Sequence, residues 1–241
     1  MRISGVIFRE HMEFMNHAMN ELGQHCWEQL QAYTDRIAIF PLPGATLLPR
    51  ASLPLHIFEP RYRAMVEYAF SHGRFVGMIQ PVPDKKQSDG RSVLYDVGCI
   101  GRLTSFRELP DGRFLIVLDG LCRFRPVREL SVDPLGFRSV EINLDGFAND
   151  IQPGSCEEIK REELFDLLTD YANQRQLSVH WDELKGTTDE ELVNNLAMNM
   201  PLDAHDKQTL VEAGTLKERL NVLYTVLKFE NNTHGESEWV Q

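Results

Sequence analysis

Along this chain the spacing of apolar residues changes once, and that change decides what it can fold into. Over residues 97–144 apolar and polar residues alternate or form short apolar blocks, the period of a strand. From Leu164 onward the apolar positions recur every third and fourth residue, the period of a helix. A chain patterned this way is α+β, with its strands first and its helices second. The break falls at Ile151-Gln152-Pro153-Gly154, a turn-forming stretch that reads as a joint between two packed sub-domains.

In the first half, Ile37-Ala38-Ile39-Phe40 reads as a strand running into the turn Pro41-Leu42-Pro43-Gly44. Leu47-Leu48-Pro49 and Leu53-Pro54-Leu55 are apolar pieces interrupted by proline, which cannot donate to a ladder and suits strand starts, edges or bulges. Phe58-Glu59-Pro60-Arg61-Tyr62 opens a helix, with Pro60 in the first turn where its missing N–H costs no hydrogen bond. Tyr62, Met65, Val66, Ala69 and Phe70 share one face of that helix, and Arg63 and Glu67 lie on the other. Residues 75–80 read as a strand. Residues 83–92, with Asp84, Lys85, Lys86 and Asp89-Gly90, read as a flexible polar loop.

Two strands over residues 97–108 and 113–124 come next, joined by Leu109-Pro110-Asp111-Gly112, a composition suited to a type I turn. On the second, Phe114, Ile116, Leu118, Cys122 and Phe124 fall on one face, and Leu115, Val117 and Leu121 on the other. A strand with something to bury on both faces belongs in a closed or nearly closed barrel. The register, and whether Cys99 and Cys122 face each other, stays open at this point. Residues 137–144 are the last strand.

The helical half carries Leu164, Leu167, Leu168 and Tyr171 on one segment, Leu192, Val193, Leu196, Ala197 and Met200 on the next, and Leu216, Leu220, Leu223, Tyr224 and Leu227 on the last. Thr188-x-x-Glu191 and Thr215-x-x-Glu218 are capping boxes, which satisfy amide donors that a helix start otherwise leaves orphaned. Pro201 stops one helix, Asp203 caps a short one, and Gly214 is expected to end it in the left-handed conformation. At the other end of the sequence, Met15, Met19, Leu22, Cys26, Leu30 and Tyr33 share a face of a leading helix that Gly23 weakens. The expected organisation is a helical extension over residues 1–35, a β-rich barrel over 36–150, a helical bundle over 151–229 and a disordered tail over 230–241.

Composition narrows the function. With 36 acidic against 25 basic residues the net charge is -11, which opposes non-specific binding to phosphate backbones. The longest apolar runs fall far short of the about 20 residues of a membrane-spanning helix. Cys26, Cys99, Cys122 and Cys156 are scattered, without a Cys-x-x-Cys pair or clustered histidines, so reduced buried thiols are expected and no metal site. Scattered thiols and the lack of a secretory leader point to a cytoplasmic protein.

A phosphate-binding loop ending in Gly-Lys-Ser/Thr, a Gly-x-Ser-x-Gly elbow, Gly-x-Gly-x-x-Gly and His-Glu-x-x-His are all missing from the sequence. His56, between Leu55 and Ile57, reads as a packed strand histidine, and His180 as a helix-edge residue. Glu158, Glu162 and Glu163 read as the acidic first turn of a helix. No catalytic, cofactor-binding or metal-binding residue is assigned, and the pattern names no peptide-binding residue. Arg102, Arg107, Arg113, Arg123, Arg125 and Arg128, interleaved with Phe106, Phe114 and Phe124, could grip single-stranded RNA. Cross-strand pairing with Glu108, Asp111, Asp119 and Glu129 is the favoured reading of those arginines.

Three stretches carry a family resemblance: Phe40-Pro41-Leu42-Pro43-Gly44, then Leu53-Pro54-Leu55-His56-Ile57-Phe58-Glu59-Pro60-Arg61-Tyr62, then Gly77-Met78-Ile79-Gln80. Gly98-Cys99-Ile100-Gly101-Arg102, Asp119-Gly120-Leu121-Cys122-Arg123-Phe124 and the helical Leu192-Val193-Asn194-Asn195-Leu196-Ala197-Met198 extend it. Over residues 37–227 the sequence resembles the Lon protease N-terminal (LON substrate-binding) domain family, and most of all its small stand-alone bacterial members. The resemblance implies a PUA-like β-barrel followed by a helical bundle, used in the full protease to recognise and hold unfolded polypeptide. The ATPase and Ser/Lys peptidase modules of that protease have no counterpart here, so the expectation is a polypeptide-binding module without catalysis, acting as an adaptor for a protease or chaperone. An RNA-binding PUA-like protein is the alternative.

Overall fold

The computed structural model of the protein describes residues 23–156 and 159–236. Its strands are β1 (Ile37–Pro41), β2 (Ser52–Ile57), β3 (Phe75–Ile79), β4 (Pro81–Lys86), β5 (Ser92–Leu94), β6 (Gly98–Glu108), β7 (Phe114–Glu129) and β8 (Arg138–Asn143). The helices are α1 (residues 23–30), α2 (Pro60–Ser71), α3 (Arg161–Gln174), α4 (Trp181–Lys185), α5 (Asp189–Asn199), α6 (Ala204–Glu212) and α7 (Leu216–Glu236). Strands precede helices, apart from α1 and α2, and the α+β class read from the change of period is the class observed.

The main sheet has six strands in the order β2-β7-β6-β3-β1-β8, and β8 pairs a second time with the far end of β7. That pairing closes β7, β6, β3, β1 and β8 into a ring and leaves β2 at the edge, bonded to the near half of β7. Pro54 lies in β2, where an edge tolerates the missing donor. Side chains from every strand of the ring meet inside it: Ile37 and Ile39, Phe75 and Ile79, Ile100, Cys122 and Phe124, Val140 and Ile142. Cys26 and Leu30 of α1, 4% and 0% exposed, close one end of this core. Met15, Met19 and Leu22 of the expected leading helix lie outside the described residues.

The ring closes because β7 changes face part-way along. Ile100 pairs with Cys122 and Gly101 with Gly120, so Leu121 is an extra residue, and such a bulge reverses the face taken by the residues beyond it. Phe114, Ile116 and Leu118 therefore pack against α2 and the bundle, whereas Cys122 and Phe124 enter the ring. The single stripe expected from Phe114 to Phe124 is thereby split. Cys99 sits opposite Arg123 and Cys122 opposite Ile100, so the two cysteines do not face each other. All four described cysteines are free, and burial pushes the Cys99 and Cys122 thiols well above their usual range.

Residues 83–92 depart from the expected loop: β4 and β5 form a two-stranded hairpin. Its turn repeats the one between β6 and β7. In both, the first residue's carbonyl accepts from a glycine three positions on, Leu109 from Gly112 at 2.8 Å and Gln87 from Gly90 at 3.0 Å. Both glycines have positive φ, +77° and +84°, which a side chain would strain. Asp111 takes the backbone N–H and guanidinium of Arg113, and Asp89 does the same for Arg91.

In the bundle both capping boxes form, with Thr188 accepting from the Glu191 amide and Thr215 from the Glu218 amide. Asp203 caps α6 through the Asp206 amide. Gly214 does not take the left-handed conformation expected of it, because α6 ends in extended geometry at Ala213 and the Glu218 carboxylate takes the Gly214 N–H at 2.7 Å. Into the stretch from residue 230 where a disordered tail was expected, α7 continues as far as Glu236, held by Arg175 on Glu230 and by Asn231, which donates to the Leu167 carbonyl at 3.0 Å. Residues 237–241 lie outside the described part.

Barrel and bundle meet across a seam of buried polar contacts. Arg123 of β7 pairs with Asp150 at 2.7 Å and donates to the carbonyls of Glu212 and Ala213 at 3.0 Å. Arg219 of α7 donates to Asn194 Oδ1 at 2.9 Å, and Asn194 donates on to the Pro49 carbonyl. The Lys207 ammonium bonds the carbonyls of Gly44 and Met198, and burial lowers its pKa from the usual lysine value.

Candidate functional site

Two concave surfaces, one on each half, combine apolar walls with polar groups. The bundle groove, about 600 Å³, lies among α3, α4 and α5. Its walls are Leu168, Tyr171, Leu177, Trp181, Leu184 and Met200. The helical period puts Leu168 and Tyr171 on the buried face of α3, and Trp181 stands edge-on to Phe165 at 6.1 Å. Leu177 is 41% exposed at the rim, where His180 and Glu183 supply polarity. An apolar interior with a polar rim can hold an apolar stretch of another polypeptide.

The second surface is a cleft of about 560 Å³ between the start of α2, the β4–β5 hairpin and the start of β8. Pro41, Pro43, Pro81, Tyr62 and Phe137 give it apolar walls, and Arg61, Lys86, Arg91 and Arg138 give it cations. The Glu59-Pro60-Arg61-Tyr62 corner builds one side: Arg61 pairs with Glu59 at 2.8 Å, and Tyr62 packs on Phe40 with ring centroids 4.2 Å apart. Glu129 anchors the opposite side by accepting from Arg138 at 2.7 and 2.8 Å, from Gln87 at 3.0 Å and from Arg91.

Burial alone would raise the Glu129 pKa, but the hydrogen bonds from Arg138 and Gln87 and the charges of Arg138 and Arg91 outweigh it and hold it below the usual glutamate value. A carboxyl depressed on folding contributes stability that is full above its unfolded pKa and is lost as pH falls through its folded pKa. Acidification below the usual glutamate range is therefore expected to lower the amide protection in residues 87–92, measured against the intrinsic exchange rate at the same pH. Glu129→Gln should show the lower protection already at neutral pH, with a stability loss of about 1.5–3 kcal/mol. Protection in that hairpin indifferent to both changes would contradict the anchor.

The residues singled out in the sequence fall elsewhere. His56, expected to be packed, is exposed on the edge strand with its ring on Phe58 at 5.9 Å. The reason is alternation, since Leu53, Leu55 and Ile57 take the inner face of β2 and leave His56 outside. His180 is exposed at the start of α4, Glu162 and Glu163 lie in the first turn of α3, and Glu158 lies outside the described residues. Of the hairpin arginines, Arg113 pairs with Asp111, Arg123 with Asp150 and Arg128 with Glu141, while Arg102 reaches the Cys26 sulfur and Arg125 the Asp145 carbonyl. Phe114 and Phe124 are buried and Phe106 is 39% exposed. Three arginines thus have carboxylate partners, but of the four carboxylates expected to pair with them only Asp111 does. Glu129 holds Arg91 and Arg138, and Asp119 accepts from Ser52. Among the described residues no group of three or more His, Cys, Asp or Glu side chains could hold a metal ion, and no helix is long and apolar enough to cross a membrane.

The sequence matches, over residues 36–228, the family described as the ATP-dependent protease La (LON) substrate-binding domain. The chain belongs to the Lon substrate-binding domain family. Lon protease 2 of Sorangium cellulosum is 26% identical over 199 residues, covering 80% of this chain and 24% of that protein. Lon protease 1 of Bacillus subtilis is 24% identical over 203 residues, 81% of this chain and 25% of that one. The chain thus spans about a quarter of the length of these relatives. Among solved structures, a Lon N-terminal domain protein from Xanthomonas campestris superposes with TM-score 0.53 at 24% identity, covering 79% of this chain and 97% of that one. The N-terminal domain of Mycobacterium avium complex Lon protease gives TM-score 0.53 at 18% identity, with 80% and 98% covered. These two likenesses bear on the fold.

Sequence reading misses the cleft of this Lon-type domain because its cations are far apart in the sequence. Arg61 and Arg138 come together only through β1–β8 pairing and the packing of α2 on β1. One local signal exists: Asp89-Gly90-Arg91 repeats the Asp111-Gly112-Arg113 of the β6–β7 hairpin.

Proposed function

We propose that this protein binds segments of unfolded polypeptide without transforming them, and acts as an adaptor that presents such segments to a protease or chaperone. The observation that carries the reading is the bundle groove, with its apolar walls and polar rim, in a member of the Lon substrate-binding domain family. At the joint between barrel and bundle Arg123, Asp150 and Arg219 fill the seam, and the open apolar surface lies within the bundle, along α3. Polypeptide fits the groove better than RNA, because the arginines of the β6–β7 hairpin are largely engaged within the protein and the whole molecule is acidic.

The test is fluorescence anisotropy with a labelled, permanently unfolded reporter polypeptide. Leu177→Asp combined with Val179→Asp places two charges at the groove and is expected to weaken binding about tenfold or more. Val127→Asp, at a residue 59% exposed on β7 and remote from the groove, is expected to leave affinity unchanged. Equal affinity in the groove variant and the parent would remove the groove from the account. Turnover of a substrate by the purified protein, abolished by changing one of its own side chains, would remove the non-catalytic reading.

A further inference from the structure

The cleft beside α2 has a chemistry different from that of the bundle groove. Arg61, Lys86, Arg91 and Arg138 line it against Glu59 and Asp89, with Glu129 behind Arg91 and Arg138. Four cations thus meet three carboxylates, within a molecule whose net charge is -11. The cleft is a local reversal of the sign of the molecule. Resting on the reading of the protein as a polypeptide binder, we propose that this cleft takes a carboxylate borne by a polypeptide next to an apolar side chain.

Three features fit that ligand. Glu129 fixes two guanidiniums at once, taking Arg138 through Nε and Nη2 and Arg91 through Nη1, so both are held in place before any ligand arrives. A guanidinium has five N–H donors, and those left over by Glu129, Asp89 and Ser92 are what a carboxylate would meet. Lys86 adds an exposed ammonium that bonds Ser92 Oγ at 2.9 Å and has no carboxylate partner among the described residues. Third, Pro41, Pro43, Pro81, Tyr62 and Phe137 form apolar walls beside these cations, which a bare inorganic anion would leave uncovered and an apolar side chain would cover. The carboxylate could come from a polypeptide C-terminus or from an Asp or Glu side chain, and the chemistry is shared.

The experiment uses the full-length protein and three labelled octapeptides of one apolar sequence: with a free C-terminal carboxylate, with an amidated terminus, and amidated with two internal glutamates. At least one carboxylate-bearing peptide is expected to bind, more weakly as salt is raised, and the amidated apolar peptide to bind at least tenfold less tightly. Preference for the free terminus assigns the source to polypeptide ends, and binding of the internal-glutamate peptide assigns it to side chains. Arg61→Ala and Lys86→Ala, both at exposed positions, are each expected to weaken that binding about tenfold with circular dichroism unchanged. In the Leu177→Asp, Val179→Asp groove variant, which loses the apolar contacts of the groove, the preference for carboxylate-bearing peptides is expected to persist, so failure of the groove and failure of the cleft are told apart. Equal binding of all three peptides, binding untouched by the two cleft variants, or no binding at millimolar peptide would overturn the proposal.

Discussion

Asp150→Ala is expected to destabilise the protein by about 3–5 kcal/mol, the range for stripping one partner from a buried ion pair. The two side chains are only 6% and 7% exposed, and Asp150 accepts from the Arg123 backbone N–H, from Nε at 2.8 Å and from Nη2 at 2.7 Å. Removing the carboxylate leaves a guanidinium in the seam with carbonyls as its remaining partners, Glu212, Ala213 and Gly214, and with the Arg219 guanidinium near enough to repel it. The pair itself need not stabilise relative to an apolar filling. Arg123→Met with Asp150→Leu should therefore recover a large part of the loss, although the carbonyls that Arg123 served would then go unpaired. Urea denaturation of Asp150→Ala, Arg123→Met and the double variant measures these costs. A cost under about 1 kcal/mol for Asp150→Ala would mean that the seam is wetter than its burial indicates.

Because Arg123 reaches the end of α6 from a barrel strand, the seam ties the orientation of the bundle to the barrel. Some of this is legible in the sequence and some is not. Local chemistry is: Thr188 with Glu191, Thr215 with Glu218 and the Leu109–Gly112 turn each lie within four residues, and each takes the form its residues dictate. The change from a two-residue to a three-and-four-residue period likewise separates sheet from bundle, since burying one face of each element requires it. What escapes such reading is long-range. Leu121 looks like any other apolar strand residue, and only the pairing of its neighbours, Cys122 with Ile100 and Gly120 with Gly101, makes it the bulge that sends Phe124 into the ring and Phe114 to the opposite, α2-facing side. Apolar neighbours suggest a packed His56, yet on an edge strand with one covered face those neighbours are what turn it outward. The cations of the cleft come from α2, β4, β8 and the turn between β4 and β5, and no spacing within the sequence brings them together. Composition assigns Gly214 to a left-handed helix end, but Glu218 offers its amide a stronger acceptor than such a turn would.

The other large effect is expected at Gly120, beside that bulge. A Cβ there would lie 2.0 Å from the Leu48 carbonyl oxygen and 2.8 Å from its carbon, both backbone atoms that no rotamer change can move. The approach is close because the two segments bond each other on both sides: Gly120 donates to the Ala51 carbonyl and accepts from the Arg50 amide, each at 2.8 Å. That crossing is itself tied down by Asn194 on the Pro49 carbonyl and by Arg50 with Glu190 at 3.1 Å. Gly120→Ala must therefore push β7 and the 48–51 segment apart, giving up those bonds and the packing of Leu47 and Leu48 in the core. A loss of about 3 kcal/mol or more is expected, above the usual cost of overpacking because the obstacle is backbone. Gly90→Ala provides the contrast, since nothing lies within 4 Å of its Cβ and its cost is confined to the positive φ. Denaturation that ranks Gly90→Ala as the more damaging of the two would show that the crossing at Leu48 is looser than these distances require.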